Sequence, residues 1–143
     1  MIGVDTTFLI HLEIQEAAEH VRAKQTLERE VLATGTTLVL VPQVLSEFLH
    51  VVTDQRRFQR PFTMSHALER ATYWWNAREV RRVFPTTEST SLFLDWIGQH
   101  RLGRKRLLDT MLAATLHLAG VRRLVSSNAA DFSDFGVFDV IVP

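Results

Sequence analysis

The chain has 143 residues, 46% of them hydrophobic and 22% charged, a composition that excludes intrinsic disorder and fits one globular domain over residues 1–143. It has no cysteine, so zinc ribbons, iron–sulfur clusters, disulfide scaffolds and cysteine nucleophiles are excluded together. Sixteen basic and sixteen acidic residues leave a net charge of zero, yet residues 54–106 carry eleven basic side chains against five acidic ones, a local +6 that suits a phosphate backbone.

Met1-Ile2-Gly3-Val4-Asp5 lacks the basic flank and long apolar core of a signal peptide, and no stretch approaches 18 apolar residues. The expectation is a soluble cytoplasmic domain that makes no use of a membrane. The opening run is apolar and stops at an acid, as a short buried strand would, and Phe8–Leu12 opens a turn or short helix. Ile14, Ala17, Val21, Leu27 and Val31 recur at intervals near three to four, which predicts one amphipathic helix over 13–33, ended by Gly35. Leu38-Val39-Leu40-Val41 predicts a second buried strand, and Pro42 suits the first turn of a helix with Val44, Leu45, Phe48, Leu49 and Val52 inward.

A helix follows over 63–77, with Met64, Leu68, Ala71 and Trp75 as its apolar stripe. That frame sends Tyr73 and Trp74 outward, where aromatic area serves a partner protein. Val83-Phe84 is a strand candidate, and the segment 88–101 is helical with Leu92, Phe93, Trp96 and Ile97 inward. Residues 107–119 form a helix with the stripe Leu108, Leu112, Thr115 and Leu116, stopped by Gly120. Segments 123–126 and 140–142 complete the strands. Apolar strands alternating with helices, without hairpin turns, predict an α/β three-layer sandwich: a short central parallel β-sheet flanked by helices.

In such a sheet, ligands gather beyond the carboxyl ends of the strands. Asp5 closes the first strand, Glu47 sits early in the helix after the second, Asp109 early in the helix before the fourth, and Asn128 and Asp131 follow the fourth. Each has a plain structural reading as a turn, cap or solvated residue. Brought together, the carboxylates would repel, and a divalent cation removes that cost; all-oxygen donors favour Mg²⁺ or Mn²⁺. Arg104 and Lys105, just ahead of Asp109, are candidates for a flanking phosphate, with a solvated loop as the alternative. A Glu47-x-x-His50 pair stands alone, too little for a di-iron bundle, and no Walker-A, His-Glu-x-x-His or G-x-S-x-G motif occurs. Six histidines are scattered, and His117, at the end of an apolar helix, reads as structural.

The ordered blocks Ile2-Gly3-Val4-Asp5-Thr6-Thr7-Phe8-Leu9-Ile10, Val41-Pro42-Gln43-Val44-Leu45-Ser46-Glu47-Phe48, Leu107-Leu108-Asp109-Thr110-Met111-Leu112-Ala113-Ala114 and Leu124-Val125-Ser126-Ser127-Asn128-Ala129-Ala130-Asp131-Phe132 resemble those of PIN-domain ribonucleases. With Thr53-Asp54-Gln55-Arg56-Arg57-Phe58, the chain looks like a VapC-type toxin of VapBC toxin–antitoxin pairs. Thr7 stands where many members have Asn or Ser, Thr110 where Ala is common, and Asn128 at the fourth acidic position.

The resemblance implies a Mg²⁺- or Mn²⁺-dependent endoribonuclease, with Asp5, Glu47 and Asp109 at the metal, Asn128 or Asp131 as the fourth group, and Thr6 orienting a carboxylate or water. It implies in-line hydrolysis of a structured cellular RNA to a 5′-phosphate and 3′-hydroxyl, a homodimer, and silencing by a small DNA-binding antitoxin that inserts an arginine among the carboxylates. Two alternatives stand beside it. One is a non-catalytic domain of this fold that binds RNA or protein. The other is an Asp-nucleophile phosphatase, which ordinarily carries a second Asp where Thr7 stands.

Overall fold

The computed structural model describes residues 1–143. Five strands, β1 (Ile2–Val4), β2 (Leu38–Leu40), β3 (Val80–Arg82), β4 (Arg123–Val125) and β5 (Asp139–Ile141), form one parallel sheet in the order β3-β2-β1-β4-β5. The helices are α1 (Thr6–Glu13), α2 (His20–Leu27), α3 (Pro42–Val52), α4 (Met64–Asn76), α5 (Thr87–Gln99), α6 (Leu107–Leu118) and α7 (Ala129–Ser133). The predicted sandwich is therefore present. Every residue of β1 and β2 is buried because helices cover the sheet, whereas the edge strands β3 and β5 keep exposed polar side chains. No helix is long and apolar enough to cross a membrane.

The strand order reverses beside β1. The chain moves outward through β2 and β3, then returns to pair β4 on the other flank, Gly3 facing Leu124 in register. That puts the switch point, where open parallel sheets form their crevice, at the carboxyl ends of β1 and β4. Helix α6 lies close over this seam. A Cβ on Gly3 would stand 2.7 Å from Leu116 Cδ1 and 3.2 Å from Leu124 Cδ1, so the missing side chain lets α6 approach β1. The buried residues of α6 are Thr110, Leu112, Ala113, Ala114, Thr115 and Leu116; Leu108, predicted inward, is 56% exposed.

Three other expectations are corrected. The segment 13–33 is not one helix: α1 ends at Glu13, Ile14 is buried in extended backbone, and a new helix starts at His20 and finishes in a π-turn over Glu28–Leu32. Within the break, Glu16 accepts from the backbone N–H groups of Gln59 and Arg60, at 3.1 and 2.9 Å. Val21 is consequently exposed, with Ala23 and Thr26 buried instead, while Val31 is buried as expected.

Helix α4 is rotated from its predicted frame. Ala67, Ala71 and Trp74 are buried, while Met64 and Leu68 are exposed. Glu13 sets this face: it accepts from the Trp74 indole at 2.7 Å and from Arg70 at 2.8 and 2.9 Å. Trp74 is thus core and unavailable to a partner, and Trp75 is half-buried, edge-on to Phe84 and under the Arg82 guanidinium. The third strand lies at 80–82 rather than 83–84, with Leu38 paired to Val80; as an edge strand it needs no continuous apolar run. Helix α7 was not anticipated; Phe132, fully buried, anchors it.

Candidate active site

Asp5 sits at the first turn beyond β1 and is 4% exposed. Its Oδ1 accepts from Thr6 N at 2.7 Å, and its Oδ2 accepts from the hydroxyls of Thr7 and Ser126, each at 2.7 Å. The turn reading of Asp5 is therefore correct as far as Oδ1 goes. Oδ2 is held across the switch point, from the end of the neighbouring strand. Ser126, fully buried, and Thr7 belong to this candidate site through those bonds, a part for them that sequence reasoning passed over. Their signal was position: each lies within two residues of a predicted strand end that must adjoin the other.

Glu47 comes from the second turn of α3 and is half-buried. Burial first, then the charge of Asp5, pushes its carboxyl above the ordinary value, against weaker stabilisation from Gln43 and Thr6. Gln43 Nε2 donates to Leu108 O at 2.9 Å and stands 3.5 Å from Glu47 Oε1, tying the acid-bearing turn of α3 to the start of α6. Asp109 lies in the first turn of α6. Burial, then the charges of Asp5, Asp131 and Glu47, pushes it up to about 7, with Arg106 pulling the other way. A carboxyl raised this far by burial and by neighbouring acids marks a candidate place for positive charge.

The fourth position divides clearly. Asn128 is exposed, and its contribution is a backbone N–H given to Ser126 Oγ at 2.9 Å. Asp131 is half-buried, and its charge is felt at Asp109. Arg106 sets that placement, with its guanidinium 3.4 Å from Asp131 Oδ1, 3.1 Å from Asp134 Oδ2, bonded to the Asp131 carbonyl and over the Phe135 ring. In the run Arg104-Lys105-Arg106, a single 3-10 turn, the first two side chains are exposed and only Arg106 is engaged. Arg104 and Lys105, the phosphate candidates, are thus left free, and nothing local distinguishes Arg106 from these two adjacent bases.

No three His, Cys, Asp or Glu side chains stand close enough to enclose a cation as they are placed. The donor set nonetheless suits a hard divalent ion. It is made of carboxylate oxygens, the charge of Asp5 raises the pKa of both Glu47 and Asp109, and the Thr6 hydroxyl is buried beside Glu47 without a well-formed hydrogen bond. A cleft of about 800 Å³ lined by Glu13, Glu16, Arg60, His66 and Arg70 lies apart from these acids, and its Glu13 and Arg70 neutralise each other. Asp5, Glu47 and Asp109, unlike Glu13 and Asp131, have no ion-pair partner, and this rather than concavity singles them out as the candidate site. His117 packs against Trp96 with ring centroids 5.7 Å apart, consistent with its structural reading.

No family model matches the chain. It is 28% identical over 139 residues to the ribonuclease VapC24 of Mycobacterium tuberculosis, covering 95% of this chain and 92% of that one. Among solved structures, VapC20 of M. tuberculosis, a toxin that cleaves the sarcin–ricin loop, superposes with a TM-score of 0.73 at 19% identity over 96% of each chain. VapBC2 from Rickettsia felis, solved on a DNA fragment of its promoter, gives 0.67 at 15% identity over 99% of this chain and 98% of that one. The chain is thus similar to VapC-type PIN-domain toxins in sequence along nearly its whole length, and it shares their fold.

Proposed function

We propose that the chain is a metal-dependent endoribonuclease acting as the toxin of a toxin–antitoxin pair. The observation that carries this reading is the gathering of Asp5, Glu47 and Asp131 around Asp109 at the β1–β4 switch point, each close enough for its charge to be felt there. The likeness to a ribonuclease over 95% of the chain supports the same reaction class.

Asp5, Glu47 and Asp109 would hold Mg²⁺ or Mn²⁺, with Asp131 behind them and Asn128 at the rim. The ion would supply a lowered water pKa and charge neutralisation at the scissile phosphate. The chain's own part is positional. Thr7, Ser126 and the Thr6 N–H hold Asp5 in one orientation, so that an oxygen is presented rather than sought. This hydrogen bonding also makes Asp5 a poor nucleophile, and a phosphatase's second acid is replaced by Thr7, so the phosphatase alternative loses its support. Thr6 Oγ1, beside Glu47 and in no well-formed hydrogen bond, would orient that carboxylate or a water. Arg104 and Lys105, exposed at the lip of α6, bind flanking phosphates of a structured cellular RNA.

The partner is a cognate antitoxin whose inserted arginine pairs bidentately with the carboxylates. The toxin works in the cytoplasm as a homodimer, for which exposed Leu94, Leu107 and Leu118 offer apolar area. Purified protein is expected to cleave RNA with Mg²⁺ or Mn²⁺ and to stop with chelator; Asp5→Asn should slow cleavage by about 100-fold, on the scale of losing ~3 kcal/mol of transition-state stabilisation. Co-expressed antitoxin should abolish cleavage. Wild-type rates from Asp5→Asn in matched metal refute the assignment.

A further inference from the structure

The β4–α7 junction contains a polar chain that the nuclease reading leaves unused. Ser127 Oγ lies 3.1 Å from His11 Nδ1, and His11 Nε2 lies 3.7 Å from Glu19 Oε2. A carboxylate facing Nε2 places the ring proton there, so Nδ1 accepts and the Ser127 hydroxyl donates. Burial, ahead of the opposing influences of Glu19 and Asp5, lowers the pKa of His11 and keeps the ring neutral at pH 7. The backbone beneath it is also held, because His20 Nδ1 donates to the His11 carbonyl at 2.8 Å.

From Ser127 the chain of bonds runs to Asp5. The Ser127 N–H donates to Thr7 Oγ1 at 3.2 Å, and the Asn128 N–H donates to Ser126 Oγ at 2.9 Å. Thr7 and Ser126 are the two hydroxyls that aim at Asp5 Oδ2. Residues 126–128 therefore seat both hydroxyls, and the Ser127 side chain fastens this loop to α1 through His11.

We propose that His11 is a positioning residue for Asp5: by accepting from Ser127 it holds the 126–128 loop in the register that presents Thr7 and Ser126 to the Asp5 carboxylate. The consequence for the metal rests on the function proposed above; the fastening of the loop does not. A phenylalanine would fill the same volume but cannot accept a hydrogen bond. An asparagine would be smaller, yet would put an acceptor where Nδ1 stands.

The test compares His11→Phe, His11→Asn, Ser127→Ala and the double variant His11→Phe/Ser127→Ala. Amide hydrogen exchange is read at Ser127 and Asn128 in metal-free protein, with the amides of α5 as the control for global loosening, and Mn²⁺ binding is titrated alongside RNA cleavage. His11→Phe and Ser127→Ala should each speed exchange at the two loop amides by about 10-fold, with α5 unchanged. Each should also weaken Mn²⁺ binding by about 10-fold, the low end of what an outer partner contributes to a metal site. The double variant should be no worse than either single one, and His11→Asn should restore both readouts. Loop exchange in His11→Asn as fast as in His11→Phe, additive effects in the double variant, or unchanged loop exchange in His11→Phe overturns the proposal. Wild-type protein that binds Mn²⁺ yet cleaves no RNA would defeat the nuclease reading, while exchange and Mn²⁺ affinity would still decide the role of His11.

Discussion

Replacing Asp109 by Asn should stabilise the metal-free protein while abolishing its chemistry. Burial and the charges of Asp5, Asp131 and Glu47 push Asp109 from its ordinary 3.8 to about 7. Between those two values the folded state keeps a proton that the unfolded chain has released. The stability associated with Asp109 is therefore fully present below about pH 4 and is lost as the pH rises through 7. A shift of about 3 units corresponds to ~4 kcal/mol; solvent reaches this half-buried side chain, and screening reduces the figure to ~2 kcal/mol. Asparagine has the same shape and never ionises. In chelator at pH 8, Asp109→Asn should melt about 5 °C above wild type, and at pH 4 the two should coincide. Mn²⁺ at pH 8 should raise the wild-type Tm and reverse the order, because the ion supplies the missing counter-charge. RNA cleavage should fall by about 100-fold. Thermal unfolding from pH 4 to 8, with and without Mn²⁺, measures all of this. A variant no more stable than wild type in chelator at pH 8, or stabilised equally at both pH values, refutes the electrostatic account of the site.

Asp131→Asn should weaken Mn²⁺ binding about 10-fold, because its charge reaches Asp109, whereas Asn128→Ala should be clearly milder than Asp109→Asn in RNA cleavage and Asn128→Asp should retain activity. Equal loss of cleavage in Asn128→Ala and Asp109→Asn would reverse the ranking. Trp74→Ala should cost ~3–5 kcal/mol in denaturant unfolding, through lost packing and an unpaired Glu13 oxygen, and Trp75→Ala substantially less; equal costs would contradict the α4 frame. Arg104→Ala/Lys105→Ala should lower the slope of log affinity for single-stranded RNA against log salt by about 1.4, two phosphate contacts' worth, while leaving Mn²⁺ binding unchanged.

The parallel sheet and the three acids were legible because their signals are local. Buried parallel strands carry unbroken apolar runs, and β1 and β2 do. A rule about strand carboxyl ends then converts chain position into proximity, which is why Asp5, Glu47 and Asp109 could be grouped from the sequence. The helix faces were less secure. The α4 stripe is one residue out of frame because a half-buried carboxylate on α1, Glu13, draws Trp74 and Arg70 to itself. Nothing within α4 announces a partner nearly sixty residues away. Helix 13–33 fails for the same reason: Glu16 is drawn to the backbone of Gln59 and Arg60.

By itself, then, the sequence determined the layer architecture and which acids share an edge of the sheet, since both follow from apolar periodicity and strand polarity. Tertiary structure alone decided how those acids are held. Asp5 takes hydroxyls from residues 2 and 121 positions away, Glu47 is tied through Gln43 to the start of α6, and the charge of Asp131 reaches Asp109 from a helix that Arg106 fastens. Hydroxyl, amide and guanidinium groups look alike in a sequence wherever they fall. Which of them acts at the site depends on distances and burial, which exist only once the chain has closed around it.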